Sequence, residues 1–167
     1  RRFLAAVGQV EDAPGAVASV RALVGGVFVS EGVQKFLFPD DLGAGRFAKI
    51  GIPAPEVMGP FVGAVEIVGG ALVLVGLFTR VAAQVLLIDM AVAILSTKIP
   101  ILLAHGFWGF SAAKAKPGLW SMLHESRTDL SMVLGAVFLF VVGGGRWSLD
   151  ARLAERLRSE PPHGSLR

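Results

Sequence analysis

The sequence predicts an all-α polytopic membrane protein, a bundle of four transmembrane helices with an interfacial segment between the third and fourth. Of the 167 residues, 53% are hydrophobic and only 17% are charged, and the mean hydropathy is +0.64. Such values are typical of membrane proteins. Several apolar runs also reach the roughly 20 residues that a helix needs to cross a hydrocarbon layer of about 30 Å. We therefore expect one helical domain in a lipid bilayer.

Turn-forming residues separate the four predicted spans. The first span ends at the PDD turn of residues 39–41, and the second follows the two prolines of GIPAPE, because proline prevents a helix from continuing through it. A link of only two residues, 79–80, joins the second and third spans and predicts an antiparallel hairpin. The spans are expected at about 16–38, 56–78, 81–104 and 129–142.

Composition and charge predict where the segments outside the spans lie relative to the membrane. Residues 105–128 mix aromatic side chains with Lys114 and Lys116, which is typical of a segment in the membrane interface. Residues 1–15 are interpreted as a cytoplasmic leader, and residues 146–167 as a basic cytoplasmic tail. Basic flanking residues are more numerous on the side of the two termini, so the positive-inside rule places both termini in the cytoplasm. The expected location is the bacterial cytoplasmic membrane.

Several kinds of site are excluded by the residues present. The chain has no cysteine, which rules out disulfides, thiol catalysis and iron–sulfur ligation. Its net charge of +3 comes from residues that flank apolar runs, so no nucleic-acid partner is expected. The run HESRTDL lacks the second histidine of a metalloprotease helix, and we expect no metal site. The chain itself therefore offers no cofactor motif and no assignable catalytic residue.

Charged residues inside the apolar spans are the candidate functional residues. A charge at the bilayer centre costs about 2.5–3.5 kcal/mol on insertion scales, so it needs a partner, a cavity or water. At about 1.5 Å per residue, Glu66 and Asp89 each lie roughly 13 Å from the start of their spans, near the midplane. Glu31 and Lys35 are spaced as an acid–base pair on one helix. These four residues predict a polar interior.

Two alternatives remain open for Glu66, because its own helix has no cation within two turns. Either Lys35 neutralises it from the first span, or Glu66 is protonated. Arg21 likewise has two predicted destinations, the headgroups at the membrane surface or Asp89 in the interior. The alternative to a functional centre is an ion-pair network that only fixes the packing of the helices.

Several runs of the sequence resemble the DoxX family of four-helix membrane proteins. They are GVQKF, GIPAPEVMGPFVGAVEIVGGALVLVGLFTR, DMAVAI, HGF and GGGRWSLD, together with a glutamate before the fourth span. The resemblance extends from about Arg21 to Asp150, and Glu31 is not part of the family pattern. The resemblance implies that the residues of the family pattern correspond here to Lys35, Glu66, Gly69, Gly70, Arg80 and Asp150. Glu125 corresponds to a further one, although the loop before it is more divergent.

The resemblance implies a role in redox and oxidative-stress physiology. Relatives include the small subunit of a thiosulfate:quinone oxidoreductase and a membrane member of an oxidoreductase complex with superoxide dismutase and a sulfurtransferase. We expect a membrane subunit that binds a quinone or anchors partner oxidoreductases, and whether it is itself an enzyme stays open. The alternative is a non-catalytic scaffold or a lipid- or amphiphile-binding protein. The candidate site is Glu66, Asp89, Glu31 and Lys35, with Arg21, Arg80 and Glu125 in supporting positions.

Overall fold

Residues 14–112 and 116–159 are described by the computed structural model, and they form helices joined by turns and loops. The predicted all-α class is confirmed. Most of the predicted leader lies outside the described residues, as do Lys114 and residues 160–167 of the predicted tail. Within these bounds seven helical segments follow one another. They are α1 (Val17–Leu37), α2 (Ala44–Ile50), α3 (Pro55–Val75), α4 (Thr79–Leu103), α5 (Leu119–Glu125), α6 (Arg127–Val142) and α7 (Leu149–Ser159).

The four long helices, α1, α3, α4 and α6, pack side by side as a bundle. Helix α1 contacts α3 most extensively, α3 contacts α4, α4 contacts α6, and α6 returns to α1. Most of the buried apolar side chains lie in one core between these helices. Its fully buried members include Val24, Val73, Leu86 and Leu139.

Two helices in the described part of the chain, α3 and α4, are long and apolar enough to cross a membrane. Helix α1 has 21 residues but carries Arg21, Glu31 and Lys35, which lower its mean hydropathy. Helix α6 has only 16 residues, fewer than the about 20 that a span usually needs. Length and composition alone thus identify two of the four predicted spans.

Helices α1 and α3 approach each other along a seam of four glycines. A Cβ atom added at Gly25 would lie 2.6 Å from the carbonyl oxygen of Gly70, and one at Gly32 would lie 2.6 Å from that of Gly63. No side chain fits in such a space. In each helix the two glycines are seven residues apart, so they lie on one face. The seam fixes an antiparallel register in which Gly32 faces Gly63 and Gly25 faces Gly70.

Helix α4 changes its winding near its carboxyl end. The segment Ile94–Lys98 is π-helical and Ile99–Leu103 continues as α-helix. Pro100 explains the change, because proline has no N–H group for the usual helical hydrogen bond and its ring crowds the preceding turn. The hydroxyl groups of Ser96 and Thr97 donate to the carbonyl oxygen of Ala93, at 3.2 and 2.6 Å. Local departures of this kind occur frequently at functional sites.

Candidate functional site

A cavity of about 360 Å³ lies between α1, α2, α3, α4 and α6, and the end of α5 also contributes to its wall. Its wall combines apolar side chains, among them Phe28, Met90 and Met132, with eight charged residues. The charged residues are Glu31, Glu66, Asp89, Glu125, Asp129, Lys35, Arg46 and Lys98. The cavity therefore brings together all four principal candidate residues of the sequence, and Glu125 with them. Among the described residues, no group of three or more His, Asp or Glu side chains is arranged to hold a metal ion.

The centre of the cavity is an ion pair between α1 and α3. Lys35 Nζ lies 2.6 Å from Glu66 Oε2, with side-chain exposures of only 12% and 7%. The glycine seam explains the contact, because Lys35 and Glu66 each follow the Gly32–Gly63 contact by three residues. Helical side chains tilt toward the amino end of their own helix. Since the helices are antiparallel, the two side chains tilt toward each other.

Asp89 of α4 adds a second carboxyl group to this pair. It is partly buried, interacts electrostatically with Lys35 and lies within hydrogen-bonding reach of the Glu66 side chain. Two carboxylates can only accept hydrogen bonds, so a hydrogen bond between Asp89 and Glu66 requires a proton on one of them. The three side chains thus form a cluster, the buried polar centre, in which one ammonium group faces two carboxyl groups from two other helices.

Glu31 lies at the rim of the cavity rather than in this centre. Its side chain is exposed, although it still influences Glu66 electrostatically. In residues 14–112 and 116–159, the ion pair that Lys35 forms is with Glu66 and not with Glu31. The pairing of Glu31 with Lys35 that their spacing predicts is therefore wrong. The physical reason is that the two carboxyl groups of Glu66 and Asp89 attract the lysine inward.

Arg21 lies at the opposite end of the bundle from the cavity, and it is buried. Its guanidinium group donates four hydrogen bonds to backbone carbonyl oxygens. The acceptors are Val73 (3.0 Å), Leu74 (2.7 Å), Gly144 (3.0 Å) and Trp147 (2.7 Å). Two of these carbonyls belong to the last turn of α3, where helical carbonyls lack partners within the helix. Neither predicted destination of Arg21, the headgroups or Asp89, is the one that it adopts.

Two residues of the family pattern, Arg80 and Asp150, lie at the same end of the bundle as Arg21. The carboxylate of Asp150 accepts hydrogen bonds from the N–H groups of Phe78 and Thr79, at 2.8 and 3.0 Å, and from the Thr79 hydroxyl at 2.9 Å. It thereby satisfies donors at the first turn of α4, as an N-cap residue does. Arg80 donates to the carbonyl oxygen of Val141 at 3.0 Å. These residues join helix ends and do not line the cavity.

A second ion pair, Lys98 with Asp129, lies on the cavity wall at the junction of α4 and α6. Its atoms are 3.3 Å apart, and the side chains are 13% and 20% exposed. Neither residue is among the predicted site residues. The π-helical turn that ends at Lys98 lets Ser96, Thr97 and Lys98 all contribute to the cavity wall. The sequence feature that could have indicated this part of the cavity wall is the polar run Ser-Thr-Lys, which ends two residues before Pro100.

The family assignment follows from the part of the chain that contains this centre. The sequence profile of the DoxX family matches residues 16–106. The chain is a member of the DoxX family. This DoxX protein is 54% identical, over 145 residues, to an uncharacterized membrane protein of Mycobacterium tuberculosis, covering 87% of this chain and 85% of the relative. It is 41% identical, over 143 residues, to an uncharacterized protein of Haemophilus influenzae, covering 84% and 92%. No solved structure matches it.

The predicted resemblance to the family is therefore confirmed, and with it the assignment as a membrane protein. The matched range contains Lys35, Glu66 and Asp89, so the buried polar centre of this DoxX protein lies within the family region. Helix α6 and Asp150 lie beyond that range.

Proposed function

We propose that this DoxX protein is an integral membrane subunit of a redox or oxidative-stress system, and that it binds the head group of a quinone in the cavity around Glu66. The observation that carries the proposal is the combination of a buried Lys35–Glu66 pair with apolar walls in a cavity of about 360 Å³. Small-molecule sites typically have volumes of about 300–1,000 Å³ and a few polar groups on largely apolar walls.

The proposal includes four transmembrane helices, with both termini on the cytoplasmic side of a bacterial membrane. The packing supports four, because α1 and α6 complete the bundle around α3 and α4. Two of the charged side chains that lower the hydropathy of α1, those of Arg21 and Lys35, point into the bundle. Large apolar side chains cover the outside of the helices instead, as lipid contact requires. Examples more than half exposed are Leu23, Phe61, Val68, Ile88, Leu134 and Val141.

The residues of the cavity fit a quinone head group chemically. A bound quinone would supply a reaction that takes up two electrons and two protons. The Lys35 ammonium group has three N–H donors, so it can donate to a carbonyl oxygen of a quinone while it stays paired with Glu66. Glu66 and Asp89 are within reach of each other and can hold a proton between them close to those donors.

The sequence does not supply an obvious route for the electrons. It contains no cysteine and no dinucleotide-binding motif, so electrons would come from a partner subunit or from a cofactor bound elsewhere. We therefore propose a quinone-binding or anchoring subunit that works with partner oxidoreductases, rather than an enzyme that is sufficient alone. Lipid and these partner subunits are its proposed contacts.

The test is quinone binding to the purified protein in lipid nanodiscs, measured by native mass spectrometry. In the part of the chain that the structure describes, no tryptophan lines the cavity, so intrinsic fluorescence would report binding only indirectly. We expect one quinone analogue per chain, and an affinity about tenfold lower in Glu66→Gln, which corresponds to about 1.4 kcal/mol. The expected loss is comparable to that of one hydrogen bond to a charged group, which contributes about 1.5–3 kcal/mol.

The matched control for this experiment is Glu56→Gln, the same substitution in the first turn of α3 at an exposed position. It should bind the quinone as the wild-type chain does. Equal binding by Glu66→Gln and wild type would remove Glu66 from the proposed site. Failure of every variant to bind would count against the redox role as a whole and favour a non-catalytic scaffold.

A second candidate function is the binding of a cationic lipid or amphiphile in the same cavity. The observation in its favour is the excess of carboxyl groups, since five of them and three cationic side chains line the described wall. A ligand with a positive head group would complement this excess. In the nanodisc experiment, displacement of the quinone analogue by a quaternary-ammonium amphiphile, but not by a neutral detergent of equal chain length, would support this candidate.

A further inference from the structure

Helix α7 has an apolar stripe that the bundle does not cover. Leu149, Leu153 and Leu157 are spaced four residues apart, so they lie within about 80° of one another at roughly 100° per residue. All three are exposed, Leu153 at 45% and Leu157 at 54%. A different face of the helix, at Ala151 and Ala154, is buried against the rest of the protein. The leucine stripe is therefore free to contact something other than the bundle.

Basic residues accompany this stripe. Arg152 and Arg156 flank the leucines on one side of the helix, and Arg146 precedes it. The acid Asp150 is already engaged in hydrogen bonds with the first turn of α4, and Glu155 points roughly 200° away from Leu153. The surface that combines the leucines with Arg152 and Arg156, which we call the leucine–arginine face, is thus apolar with a positive edge.

The position of α7 in the fold places this face at the lipid–water boundary. Helices α3 and α4, which are long enough to cross a membrane, end and begin beside the start of α7. The N–H group of Asp150 donates to the carbonyl oxygen of Gly76 at 2.9 Å, directly after α3. Arg21 of α1 donates to the carbonyl oxygen of Trp147 at 2.7 Å. These contacts attach the start of α7 to the bundle at the level where the transmembrane helices terminate.

We propose that the leucine–arginine face of α7 binds the anionic surface of the membrane that contains the bundle. The leucines enter the boundary between headgroups and acyl chains, and the arginines contact lipid phosphates, which is how amphipathic interfacial helices bind. Trp147, 67% exposed, precedes α7 by two residues and belongs to the residue type that is enriched at this depth. Juxtamembrane basic residues contribute about 1 kcal/mol each on anionic leaflets.

The test uses single-cysteine variants, which are unambiguous because the chain has no cysteine. Leu153→Cys and Glu155→Cys carry a nitroxide label in nanodiscs that contain phosphatidylglycerol. Electron paramagnetic resonance then compares collision with oxygen, which concentrates in lipid, and with a water-soluble nickel chelate. We expect the ratio of oxygen to nickel accessibility to be several-fold higher at position 153 than at position 155.

The role of charge is tested in two further arms, nanodiscs of phosphatidylcholine alone and the Arg152→Gln/Arg156→Gln background. In both, the contrast between positions 153 and 155 should fall by more than half. Equal ratios at the two positions in phosphatidylglycerol would overturn membrane contact. If the label at position 153 is shielded from both oxygen and the nickel chelate, the leucine–arginine face contacts a protein partner instead of lipid, which would also overturn membrane contact. An unchanged contrast in both arms would overturn the assignment to anionic lipid.

Discussion

Replacing Lys35 by methionine should lower the free energy of unfolding of this DoxX protein by about 3–5 kcal/mol, the usual cost of removing one partner of a buried ion pair. The reason is that Glu66, whose side chain is only 7% exposed, would lose its cation while remaining beside the Asp89 carboxyl group. Unfolding in bilayers by steric trapping, which reports free energies for membrane proteins without denaturant, is the suitable measurement.

The matched control is Lys49→Met on α2, where the lysine is exposed. It should change the free energy of unfolding by less than about 0.5 kcal/mol. The double variant Lys35→Met/Glu66→Gln should regain part of the stability lost in Lys35→Met, since it removes the unpaired charge. If Lys35→Met proves as stable as Lys49→Met, the Lys35–Glu66 pair does not stabilise the bundle.

Changing Gly25 to alanine should destabilise the bundle by at least the roughly 1–3 kcal/mol that overpacking costs. A Cβ atom there would lie 2.6 Å from the carbonyl oxygen of Gly70, and backbone atoms cannot be displaced as a flexible side chain can. The two helices would therefore have to separate along the seam. Because the seam also positions Lys35 against Glu66, we expect the same variant to weaken quinone binding in nanodiscs.

The neighbouring glycine provides the control for this substitution. A Cβ atom at Gly26 meets nothing within 4 Å, so Gly26→Ala should be neutral or stabilising by up to about 1 kcal/mol, the difference in helix propensity. The free energies of unfolding of the two variants should therefore differ by at least about 1 kcal/mol in the steric-trapping measurement. Similar stability of Gly25→Ala and Gly26→Ala would contradict the close approach of α1 and α3.

The all-helical fold and the presence of a polar centre could be predicted because both depend on local properties of the sequence. An apolar run of sufficient length forms a helix in lipid wherever it packs, and a carboxyl group near the middle of such a run needs a partner in any arrangement. For Glu66, the sequence left two alternatives open, an ion pair with Lys35 or a protonated carboxyl group. The helix register that the glycines impose is what brings Lys35 to it.

Other features depend on which helix ends meet, and the sequence does not contain that information locally. Arg21 could be placed by depth within its own helix, but its acceptors lie in the last turn of α3 and in the turn after α6. Lys98 and Asp129 are separated by 31 positions, and their contact depends on the π-helical turn of α4. The difference between Gly25 and Gly26 likewise requires knowing which face of α1 contacts α3.

We propose that a quinone binds in the cavity around Glu66, and photolabelling would locate the bound quinone residue by residue. A photoreactive quinone analogue would be cross-linked to the protein in nanodiscs, and the labelled residues would be identified by peptide mass spectrometry. A competing location is the apolar groove on the outer face of α3 and α4 that is lined by Phe61, Val68, Phe78 and Val85.

We predict labels on residues of the cavity wall, such as Met58, Met90 and Met132, and loss of most of this labelling in Glu66→Gln but not in Glu56→Gln. Labels confined to the groove at Phe61 and Val85, at equal yield in wild type and Glu66→Gln, would show that the quinone does not bind in the cavity.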